Sequence, residues 1–92
     1  MVLSFVEKVK LQTSKLVMTY RAKDERGEDF FAYILCDKKG VEQMKQDYID
    51  QKAGAAKDYG EVLYADFVKD PDDKAKAFLR KWLEENGGEM LS

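Results

Sequence analysis

The sequence predicts an α+β fold in two layers: a three-stranded mixed sheet with two main helices on one face, in the order (α)ββαβα, forming one domain over residues 1–92. Three stretches carry this reading. Residues 30–36 (Phe-Phe-Ala-Tyr-Ile-Leu-Cys) are an unbroken apolar run between charged flanks, the pattern of a strand covered on both faces. Residues 15–23 alternate just before it, across a turn that contains Gly27. Asp70-Pro71-Asp72-Asp73 opens a helix with a long apolar stripe.

Taken in order, Ser4 and Glu7 fit a capping box, and Val2, Phe5, Val6 and Val9 share a helical face, so residues 4–11 are expected to be a short helix. The Val9–Gln12 alternation would also suit an extended segment. Lys15–Lys23 is the first strand, with Leu16, Met18, Tyr20 and Ala22 on one side and Val17, Thr19 and Arg21 on the other. Asp24–Gly27 turns the chain, and residues 30–36 return antiparallel as the second strand. Asp37 is a candidate N-cap for a helix over about 38–52, with Val41, Met44, Tyr48 and Ile49 as its apolar stripe and Gly54 as a stop.

Residues 55–58 read as a loop or a tight turn, and Glu61–Val68 as a third strand. A strand–helix–strand unit would make that strand parallel to the second by a right-handed crossover. Asp70 would cap the last helix, with Pro71 at its first position. Ala75, Phe78, Leu79, Trp82 and Leu83 form its stripe, Gly87-Gly88 ends it, and the last four residues are expected to fray. Sheet order 1-2-3 places the most apolar strand centrally, with 3-1-2 as the alternative. With both helices on one face, the other needs a cover, either the N-terminal segment or a second copy of the chain.

Composition narrows function more by exclusion than by assignment. The chain has no histidine, which removes the commonest general base and the commonest metal ligand. A net charge of −2 with interspersed signs leaves no basic stripe, so nucleic acid is not an expected partner. One cysteine allows no internal disulfide. Met1–Val6 lacks the pattern of a signal peptide, and no stretch approaches the roughly 20 apolar residues of a membrane span. The expected location is the cytoplasm.

Among candidate sites, Cys36 stands before a helix start, where a thiolate would be favoured, yet Asp37 adjoins it and no base is available. A small buried hydrophobe accounts for it as well. Asp70, Asp72 and Asp73 lack calcium-loop spacing and are explained by capping. Glu61 and Asp66 read as charges that guard a sheet edge. No glycine motif for nucleotides is present.

No catalytic residue, metal or cofactor is assigned. The residues singled out for binding are Tyr33, Cys36, Asp37, Tyr59 and Tyr64. The expected function is a small non-enzymatic protein-interaction module that self-associates or docks a protein partner through its sheet. The alternative is a small-molecule-binding protein or minor thiol-dependent enzyme with its site near Cys36.

Overall fold

The computed structural model describes residues 4–11, 14–23, 25–52, 54–69 and 72–90, with 4–11 and 89–90 described through their backbone. Among these, five strands and two helices follow the order β1 (Ser4–Leu11), β2 (Leu16–Lys23), β3 (Asp29–Cys36), α1 (Lys38–Ile49), β4 (Glu61–Asp66), α2 (Asp73–Asn86) and β5 (Gly88–Met90). A 3₁₀ turn, Ala56–Asp58, precedes β4. The class is α+β as expected, but the sheet has five strands in the order β4-β3-β2-β1-β5, and every pairing is antiparallel.

The β2–β3 hairpin follows its sequence pattern. Leu16 pairs with Cys36 and Lys23 with Asp29, and a 3.1 Å ion pair joins Lys23 Nζ to Asp29 Oδ1 beside the turn. Gly27 takes a positive φ of 81°, which side-chain-bearing residues rarely adopt. Residues 30–36 are paired on both sides, by β2 and β4, although β2 is the geometric centre of the five-stranded sheet.

Residues 4–11 form a strand, not the expected helix, and the reason lies in a bulge. The register slips between Glu7 and Val9, so Val6 stands opposite Thr19 and Val9 opposite Val17. One extra residue turns a spacing of two into a spacing of three, which in sequence resembles a helical face. Glu89 and Met90, among the last four residues expected to fray, instead pair with Lys10 and Val9, and Gly88 with Leu11.

β4 runs antiparallel to β3, correcting the expected parallel crossover. Residues 50–60 lie between α1 and β4. Extended, such a segment reaches about 36 Å, against about 18 Å for a helix the length of α1, so it has ample length to run back along the helix. β4 thus starts where β3 ended, with Glu61 opposite Leu35. The strand also stops at Asp66, short of Val68.

The two helices lie on opposite faces of the sheet, so the expected two layers are three. Val41 and Met44 of α1 pack with Met18, Tyr20, Ala32, Ile34 and Cys36. Ala75, Leu79 and Leu83 of α2 pack with Val17, Phe31 and Tyr33. Since α2 joins strands at the two ends of the sheet, β4 and β5, it must cross a face, and it crosses the one α1 leaves free. The cover sought in the N-terminal segment or a second copy is supplied by α2.

Both helices start on an aspartate. Asp37 Oδ1 accepts the Gly40 N–H at 2.8 Å, and Asp72 Oδ1 accepts the Ala75 N–H at 3.0 Å. The cap of α2 is therefore Asp72 and not Asp70; residues 70 and 71 lie outside the described set. Gly87, in the left-handed region at φ 71°, closes α2 as expected. α1 ends at Ile49, before the expected position 52, and its last turn leaves the core: Tyr48 is 49% and Ile49 70% exposed.

Candidate functional site

The five residues singled out in the sequence do not converge. Tyr33 and Tyr64 are register partners on the α2 side, with ring centroids 6.2 Å apart, and Tyr64 also meets Phe78 at 5.5 Å. Cys36 and Tyr59 belong to the cluster under α1. Asp37 is exposed and occupied as the helix cap.

Cys36 is fully buried. Burial, and secondarily the Asp37 carboxylate, push its thiol up to about 11, so it is protonated at neutral pH. Its Sγ faces the Ile34 carbonyl at 3.9 Å. Nothing in this arrangement activates a thiolate, and the buried-hydrophobe reading accounts for the residue.

Tyr59 is the organising residue of the α1 side. Its hydroxyl donates to Asp47 Oδ2 at 2.9 Å and accepts the Gly54 N–H at 2.9 Å. Tyr20 donates to the Gly54 carbonyl at 2.5 Å. The two phenols thus tie the segment returning from α1 to both the helix and the sheet. Burial and then the Asp47 hydrogen bond raise the Tyr59 hydroxyl to about 12. Burial and then Asp58 raise Tyr20. Close approach here requires Gly40 and Gly60, where an added methyl would meet the Tyr59 and Leu35 carbonyl oxygens respectively.

This packing covers the sheet unevenly. Tyr59 and Ala56 fill in the core beside α1, whereas Leu16 and Met18 line a cavity of about 440 Å³ under the helix. Val41 forms its wall, and Lys38, Glu42 and Lys45 stand around it. No local sequence pattern signals this hollow, because it depends on how α1 lies across β2.

A second feature lies on β4. Register places Val62 opposite Ile34 and Ala65 opposite Ala32, on the α1 side of the sheet. Val62 is 38% and Phe67 59% exposed, and Ala65 is exposed as well. Phe67 meets half-buried Phe30 edge-on at 5.4 Å, and Phe30 meets Tyr20 at 6.2 Å. The result is an apolar margin continuous with the core. β4 bulges where Val62–Tyr64 face Ile34–Tyr33, and exposed Glu61 and Asp66 end it.

On the α2 side, Thr19 is buried and its Oγ1 has no hydrogen-bond partner among the described residues. Among the described residues, no group of three or more His, Cys, Asp or Glu is placed to hold a metal ion, and no helix is long and apolar enough to cross a membrane. Comparison with protein-family models, with curated proteins and with solved structures finds no match.

Proposed function

We propose that the protein is a non-enzymatic interaction module that docks a protein partner through its sheet, with the β4 margin as the contact and a second copy of the chain as the partner. One observation carries this reading: Val62 and Ala65 on the edge strand β4, and Phe67 just beyond its end, stay substantially in water, although most of β2 and β3 beside them is buried. An isologous pair would bury both copies of this margin at once. The bulge at Leu63 and the acids Glu61 and Asp66 work against simple strand addition, so side chains on the α1 side of β4 form the contact.

Light scattering over a concentration series to high micromolar tests the reading. The expected mass rises from 10.6 kDa toward twice that value, and Phe67→Ser holds it at one chain. A wild-type mass of one chain throughout the series would refute self-pairing. A Phe67→Ser variant that pairs as the wild type does would remove the β4 margin as the contact.

A further inference from the structure

We propose that the hollow between α1 and the start of β2 is a binding site for a small amphiphilic monoanion, a carboxylate carried on an apolar body. Its volume of about 440 Å³ falls within the roughly 300–1,000 Å³ typical of small-molecule sites. Leu16, Met18 and Val41 give it an apolar floor and wall. That surface suits a hydrocarbon or aromatic body and gives a fully charged ligand no reason to enter.

The charges around it select the sign of the head group. Lys38 and Lys45 stand seven positions apart on α1, about 10.5 Å or two turns, so they lie on the same side of the helix. Neither has an ion-pair partner among the described residues. Glu42, between them, offsets one of the two positive charges and leaves an excess of one among the described lining residues. The Ser14 hydroxyl adds a neutral donor at the β2 end.

A dication would meet a single carboxylate and two ammonium groups. A neutral amphiphile would leave both lysines unanswered. A monoanion answers the charge excess while its body fills the apolar floor. The site adjoins Cys36 without using it, since Leu16 is the cross-strand neighbour of that residue. It extends the small-molecule alternative, and it is independent of the β4 margin, so the dimer test and the ligand test fail separately.

The test is a titration of methyl-labelled protein with decanoate, with decanol and decyltrimethylammonium as matched probes. The expected result is saturable shifts of the Leu16, Met18 and Val41 methyls with decanoate. The other two probes, and a Lys38→Gln/Lys45→Gln variant with unchanged far-UV spectrum, should bind about tenfold more weakly, the loss of a charged contact. Glu42→Gln should tighten decanoate. Equal binding of all three probes would overturn the proposal, as would shifts centred on Val62. So would an absence of saturation, or a Met18 signal that moves with protein concentration alone, which would mean that another copy fills the cleft.

Discussion

Against the Val17, Phe31 and Tyr33 face, α2 lays an i, i+4, i+8 stripe of Ala75, Leu79 and Leu83, flanked by half-buried Phe78 and Trp82. On the opposite face α1 contributes two buried residues, Val41 and Met44, and the remaining cover comes from a polar-tipped clamp of Tyr20, Tyr59, Asp47 and the Gly54 backbone. The first face is closed by apolar shape, the second by hydrogen bonds that bring a connecting segment down onto the sheet. Shape complementarity fills space in every direction, whereas a clamp fills only where its partners meet. The α1 side accordingly retains a cavity on one flank and an apolar margin at β4, and the proposed contacts both lie there.

Substitutions can break each closure separately. Leu79→Ala removes a fully buried anchor of the α2 stripe and should cost about 2–5 kcal/mol in a urea melt, a large part of the roughly 5–14 kcal/mol available to a chain this size. Gly40→Ala drives a methyl into the Tyr59 carbonyl and should cost about 1–3 kcal/mol by displacing α1 from the clamp. Tyr59→Phe keeps the ring, loses the bonds to Asp47 and Gly54, and should cost about 1–2 kcal/mol by the same melt.

Alkaline pH sharpens the same contrast. Cys36 is raised from 9.0 to about 11 and Tyr59 from 10.0 to about 12, both chiefly by burial. Because these folded values lie above the unfolded ones, the stability they carry is complete below about pH 9 and is lost as pH climbs toward the folded values. Tyr33, on the α2 side, is raised in the same direction. Stability measured from pH 8 to 11 should therefore fall in the wild type and fall less in Cys36→Ala.

The smallest effect has the opposite sign. Thr19→Val replaces a buried hydroxyl, without a partner among the described residues, by a methyl of similar shape and should raise stability by about 1 kcal/mol. A loss of stability there would mean that the hydroxyl has a partner in solution.

Local signals written in single elements were legible in the sequence: the β2–β3 hairpin, the Asp37 cap, the α2 stripe and its Gly87 stop. What was not legible depended on pairing. The bulge between Glu7 and Val9 disguised β1 as a helix, because alternation interrupted by one residue reproduces helical spacing. The direction of β4 depended on whether residues 50–60 advance or return, and Tyr59, whose hydroxyl reaches Asp47 and Gly54, holds the returning path. Once β4 was antiparallel, nothing held both helices to one face. Of the candidate site, Tyr59 is a binding candidate in the sequence, and in the structure its hydroxyl forms a clamp with Asp47 and Gly54. Phe67 was passed over because its exposure follows from β4 being at the edge, which no local pattern encodes.

The division of the two helices between the two faces can be read most directly from methyl and aromatic NOEs in solution. The expected spectrum links the Leu79 methyls to the rings of Phe31 or Tyr33, and the Met44 methyl to Ile34, with no cross-peak between Leu79 and Ile34. Cross-peaks from both Leu79 and Met44 to Ile34 would place the helices side by side on one face, and the three-layer arrangement, with everything drawn from it, would be wrong.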